Sequence, residues 1–205
     1  MNLLLPTAYL PPVSYLRYLL KQDNVRIEGH EHFVKQTLRN RCEIYGANGR
    51  LRLTVPVDHT DRWRKPIREI KVRNDEPWKR LHLKSIISAY GKSPFFEFYA
   101  DELHQVFRQE YSFLLDLNVT LLQLFLKWLK SKKQITITDT FIPYSNEPWD
   151  ARSSFNDPDT ALPASKNNSK IGYYQVFEER HGFQTDLSGL DLIFNTGPEA
   201  VAYLQ

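Results

Sequence analysis

Three features of this 205-residue sequence predict an α/β fold. They are an opening strand–loop–helix–strand run, an alternating hairpin near residue 48, and a series of apolar-faced helices after it. A short apolar run at Leu3–Leu5 meets the rigid turn Pro6-Thr7-Ala8-Tyr9-Leu10-Pro11-Pro12, and a second run follows at Val25–Glu28. Strand, helix and strand within thirty residues form a βαβ unit, which requires parallel pairing. The expectation is one domain over residues 1–205, with a mixed, largely parallel sheet, a Rossmann-like opening βαβ unit, flanking helices and one β-hairpin.

Between the first two strands, Val13, Leu16 and Leu20 fall on one helical face of Val13–Lys21. Ser14 or the double proline would open that helix, since proline is tolerated in a first turn. Arg41–Tyr45 and Arg50–Val55 alternate around a Gly/Asn turn and read as the hairpin. Pro66–Val72 alternates as well and is expected as a strand. Trp78, Leu81, Ile86, Ala89 and Tyr90 gather on one side of a helix that Gly91 stops, with His82 near its buried face. Phe95–Phe107 is a second helical region. Leu114, Leu117, Leu121, Phe125 and Trp128 form a stripe on a core helix, and Ile135–Thr138 is the last strand. From 143 to 171 periodicity stops, which marks a long loop of the kind that acts as a lid or stays disordered. Asp186 is placed to cap a helix running through Asn195; Gly197 would end it, and Pro198 would start a short terminal helix.

Composition removes several classes of function. With 41% hydrophobic and 25% charged residues, the chain is an ordinary globular protein and not a disordered one. A lone cysteine, Cys42, excludes an intramolecular disulfide and a multi-cysteine zinc site, and points to a reducing, cytoplasmic compartment. Asp116, Asn118, Gln123 and Lys127 interrupt the apolar stretch 113–129, so no membrane span is expected, and the N-terminal run lacks the basic region of a signal peptide. The net charge of +3 is unevenly spread: residues 50–84 hold 11 Lys/Arg against 5 Asp/Glu. Such a basic middle suits a small anionic substrate bearing phosphate or carboxylate. It argues less for nucleic acid, because Trp63 is the single aromatic within the densest part of the strip.

Ligands of open α/β sheets bind beyond the carboxyl ends of the strands. There the Pro6–Pro12 loop and the segment after Glu28 would share a rim. Lys35, Arg39, Asn40 and Arg41 supply fork-shaped and point-charge donors close together, suited to a carboxylate or phosphate. The blander alternative is ion pairing within the hairpin to Glu43 or Glu69. Tyr9 is expected to line the same pocket. His82 is the candidate general base, weighed against a satisfied core histidine. Glu28, His30 and His32 share a strand face but lack a second ligand cluster, so no metal site is expected. Asp191 and Asn195, four apart among apolar neighbours, either bond a neighbouring loop or face the pocket, and the structural role is the favoured one. Dinucleotide, P-loop, zinc-protease and serine-hydrolase motifs are all absent, and the sequence names no cofactor.

Several blocks, in order, carry a family resemblance: Leu5-Pro6-x-x-Tyr9-Leu10-Pro11-Pro12, Lys35-Gln36-x-x-x-Asn40-Arg41, Leu53–Val57, Trp78-x-x-x-His82 and Ser88–Tyr99. They continue with Asp116-Leu117-Asn118, Tyr174–Phe177 and Leu187–Ala200. In these blocks the chain resembles the WbqC-like family. The resemblance implies a product of O-antigen or other bacterial surface-polysaccharide gene clusters, with a role in transferring glycine or another amino acid or acyl group. The acceptor would be a sugar or nucleotide sugar. A non-catalytic binding or assembly protein of the same pathway is the alternative. Gly189 departs from the family pattern, where a bulky aliphatic is expected, and implies a loosened helix there. The 143–171 loop matches only around Asp150-x-Arg152. The Pro6–Pro12 loop is also similar in position to that of nucleotidyltransferase-like α/β enzymes. Tyr9, Pro11 and Pro12, however, stand where those enzymes carry a His-x-x-His signature.

Overall fold

A computed structural model of the chain describes residues 3–58, 65–155 and 172–205. The opening unit forms as expected. Strand β1 (Leu3–Pro6) pairs in parallel with β2 (Val25–Glu28), Leu3 opposite Val25 and Pro6 opposite Glu28. Helix α1 (Val13–Lys21) makes the crossover between them. Both strands bury nearly every residue, as a parallel strand covered on two faces must.

The hairpin is β3 (Arg41–Gly46) and β4 (Gly49–Thr54), antiparallel from Arg41–Thr54 to Gly46–Gly49. Gly49 takes φ +98°, a conformation that costs glycine little. Helices α2 (Trp78–Tyr90), α3 (Phe96–Arg108) and α4 (Leu114–Trp128) follow. Strand β5 (Ile135–Ile137) then returns beside β2, giving a three-stranded parallel sheet in the order β1-β2-β5. A short helix α5 (Glu178–His181) precedes α6 (Gly189–Thr196) and α7 (Ala200–Leu204). The mixed pairing is therefore divided between two sheets. One contiguous hydrophobic core joins the opening unit, the hairpin and the helices.

Four local expectations are corrected. Pro66–Val72 is not a strand: a 3-10 turn occupies Ile67–Glu69, and only isolated bridges pair His32 with Pro66, Val57 with Val72 and Lys71 with Phe113. Pro66 has no N–H to give to a ladder. The N–H groups of Ile67 and Arg68 instead donate to Glu31 O and Gly29 O, pinning the loop after β2. Leu81 is exposed, because the buried arc of α2 runs through Trp78, His82, Ile86, Ala89 and Tyr90 and leaves position 81 to one side.

Asp186 does not cap α6. Ser188 does, accepting from Leu190 N, while Asp186 accepts from both the N–H and the hydroxyl of Ser14 at the start of α1. Gly189 does not loosen α6 either. A Cβ there would collide with Leu16 Cδ1 and lie 2.9 Å from Phe125 Cε1, so the missing side chain lets α6 press against α1 and α4. Of the long loop, residues 156–171 lie outside the described residues. Its first part contains a 3-10 turn at Ser153–Phe155, and Asp150 bridges in parallel to Leu4 beside β1.

Candidate functional site

The central strand of the parallel sheet ends in charge. Glu28, last in β2, is fully buried. Its Oε1 accepts from His30 N (2.8 Å) and Thr138 Oγ1 (2.8 Å), and its Oε2 from Ile142 N (3.0 Å) and Arg152 Nη1 (3.4 Å). Arg152 is equally buried and forks onto Asp150, Nε to Oδ1 at 2.8 Å and Nη2 to Oδ2 at 2.6 Å. Its remaining donors reach the carbonyls of Ile142 and Pro143. Burial pushes the Asp150 carboxyl up, but hydrogen bonds from Arg152 and from the backbone of Ser145 more than offset this and hold it below the usual range.

A second pair lies beside the first. Glu31 accepts from Arg39 Nε at 2.7 Å through one oxygen and from Tyr144 Oη at 2.9 Å through the other. The Tyr144 ring lies over Arg152, with the guanidinium carbon 4.0 Å from the ring centroid, and so joins the two pairs. Arg39 Nη1 donates to Thr37, and Asn118 Nδ2 donates to Arg39 O at 2.8 Å. Arg39 Nη2 is buried and has no hydrogen-bond partner among the described residues.

The structure brings Tyr9, His82, Asn40 and Arg41 together at the open end of the hairpin. Leu10, in the left-handed region at φ 43°, turns the Pro6–Pro12 loop, and Tyr9 N donates to Leu38 O. Tyr9 is wholly buried; its hydroxyl lies 2.8 Å from His82 Nδ1. The backbone of Thr54, opposite Arg41, lies near the same imidazole. Burial lowers the His82 pKa to about 4, with the Thr54 backbone acting against it. His82 is thus neutral at pH 7 with Nδ1 engaged by Tyr9, an arrangement that suits holding the Tyr9 loop to α2 better than taking a proton.

Asn40 is buried and gives its Nδ2 to Val55 O at 3.1 Å, and its Oδ1 has no partner among the described residues. The same holds for the buried Nε of Arg41, whose pKa is lowered by burial and then by the nearby Arg52 charge. Lys35 is separate from these four, exposed in a turn. The hairpin carboxylate Glu43 pairs with Arg50 and Arg52, and Arg39 with Glu31. Among the described residues no group of three His, Cys, Asp or Glu side chains could hold a metal; His30 meets Arg68, and His32 is exposed.

Glu31, Tyr144, Asp150 and Arg152 were not legible as site residues. Their partners lie up to 124 positions away, and no periodicity reports such a distance. The Asp150-x-Arg152 block was the one signal. The structural pair is better described as a knot around Asp191, which is fully buried. Its Oδ2 accepts from Tyr173 Oη and Gln175 Nε2, each at 2.6 Å, and Asn195 Nδ2 bonds its backbone carbonyl. Burial raises the Asp191 pKa to about 6 against the lowering effect of its donors.

Among the described residues no helix is long and apolar enough to cross a membrane. The family model described as the WbqC-like protein family matches residues 7–155, a span that holds both charged pairs and the Tyr9–His82 contact. No curated protein matches the chain, and no solved structure does.

Proposed function

Since the chain belongs to the WbqC-like protein family, we propose that it is a transferase acting on a small anionic substrate. It moves an acyl or aminoacyl group, of the glycine type, onto a sugar or nucleotide sugar destined for bacterial surface polysaccharide. The observation that carries this reading is a set of buried polar atoms without partners among the described residues, Arg39 Nη2, Asn40 Oδ1 and Arg41 Nε, in consecutive residues that Arg39 ties to Glu31 in the loop after β2. A buried donor or acceptor left unpaired costs about 1–3 kcal/mol. A ligand able to pair with them recovers that cost on binding. Arg41 offers positive charge to the anionic part, Lys35 supplies a second, exposed cation apart from it, and Asn40 Oδ1 offers an acceptor to an amine or hydroxyl. Tyr9 and His82 position the loop that carries them.

A thermal-shift series with nucleotide sugars, acyl-CoA and amino acids tests the reading, since a ligand of the native state raises the melting temperature by mass action. The expected result is a response to an acyl donor or a sugar nucleotide that weakens about ten-fold or more in Arg41→Ala. Unchanged affinity in that variant removes Arg41 from the site. The burial of His82 and its engagement by Tyr9 favour a second reading, a non-catalytic binding or assembly protein of the same pathway. Salt-sensitive capture of an acidic partner with no turnover would support it.

A further inference from the structure

Tyr144 is 51% exposed, yet its ring is fixed. The hydroxyl is tied to Glu31, one face is packed on the Arg152 guanidinium, and Arg152 is itself held by Asp150 and two carbonyls. Phe141 stands against its edge, with centroids 6.5 Å apart at 63°. An exposed aromatic usually loses side-chain freedom when a ligand stacks on it, and here that freedom is already gone. A cation behind the ring draws π density inward, so the outer face favours an electron-rich planar ring laid flat upon it. The loop that carries Glu31 runs on to exposed Lys35, and Arg68 Nη1 meets His30 Nε2 at 2.9 Å on the same loop. A flat aromatic face beside cationic donors matches a base joined to phosphates.

We propose that Tyr144 is the stacking platform for the nucleobase of a nucleotide, with its phosphates directed to Lys35 and Arg68. The proposal rests on the transferase reading, in which the acceptor is a nucleotide sugar, and names the subsite that would recognise it. Titration calorimetry of the full chain with ADP, UDP and inorganic pyrophosphate tests it. Tyr144→Leu, which removes the ring, is expected to weaken both nucleotides about ten-fold or more and to leave pyrophosphate unchanged. Tyr144→Phe, which keeps the ring and loses the Glu31 bond, should stay within about three-fold of the parent, since stacking on the ring supplies the affinity.

Saturation-transfer NMR on the unmutated chain gives a readout independent of any variant's folding. Adenine protons should receive more saturation than ribose protons, and an even distribution overturns the platform. Nucleotide affinity unchanged in Tyr144→Leu overturns it too, and leaves the transferase reading standing. The same holds if sugars or acyl donors raise the melting temperature and no nucleotide binds.

Discussion

Asp150 and Asp191 are both buried carboxyl groups, one set against a guanidinium and the other against neutral donors. Asp150 takes three bonds from Arg152, two from the guanidinium and one from the backbone N–H, and falls below the ordinary carboxylate range. Asp191 takes short bonds from a phenol and an amide, and still rises to about 6. At Asp191, the more deeply buried of the two, neutral donors do not offset desolvation; at Asp150 hydrogen bonds from Arg152 and from the backbone, with the guanidinium charge added, do. The two knots also differ in place. The ionic one closes the carboxyl ends of the parallel strands beside the candidate site, and the neutral one ties α6 to the 173–184 segment.

The sharpest way to break the contrast is Arg152→Met. It leaves Glu28 and Asp150 buried without their cation and should cost about 3–5 kcal/mol in urea denaturation. A loss near that of a surface substitution would mean the pairs are not what holds the rim.

Next in size is Asp191→Asn, read as a function of pH. The folded-state pKa of Asp191 is raised to about 6 from 3.8, so the folded chain binds the proton more tightly. Its contribution favours folding at low pH and is lost as pH rises from about 4 to 6, by roughly 3 kcal/mol in all. The difference in stability between variant and parent should shift by that amount toward the variant between pH 4 and 7, measured by denaturation at each pH. His82 works in the opposite sense. Its folded pKa is lowered from 6.5 to about 4, so stability is lost as pH falls through that window. That effect is common to both proteins and cancels in their difference. It should also flatten the parent's own curve between pH 4 and 6.

The smallest expected effect is Glu43→Gln. Arg50 and Arg52 grip Glu43 at 2.8 and 2.9 Å, but all three side chains are partly exposed. The variant should lose no more than about 1 kcal/mol. A loss approaching that of Arg152→Met would show that burial is not what separates the two kinds of pair.

Much of the candidate site was visible one residue at a time. Tyr9 and His82 stood out separately, 73 positions apart, and nothing in the sequence placed the hydroxyl of one on the ring of the other. Asn40 and Arg41 were marked by their donors, but their unpartnered atoms follow from which bonds Val55 and its neighbours make. Gly189 read as a weak point because a sequence records a missing side chain and not the Leu16 and Phe125 carbons that occupy its place. The basic strip around Trp63 was legible as charge, although residues 59–64 lie outside the described residues.

By itself the sequence determined the class of fold, the βαβ opening, the hairpin and the helices, because hydrophobic period and turn chemistry act over a few residues. It determined the family as well, through blocks whose order survives without any structure. Only the tertiary structure decided which charges are buried and with whom they pair. It also decided that Asp186 caps α1 and not α6, and that the Tyr144 ring lies over Arg152. Those outcomes depend on desolvation and on contacts between distant segments, and both arise only once the chain has closed on itself.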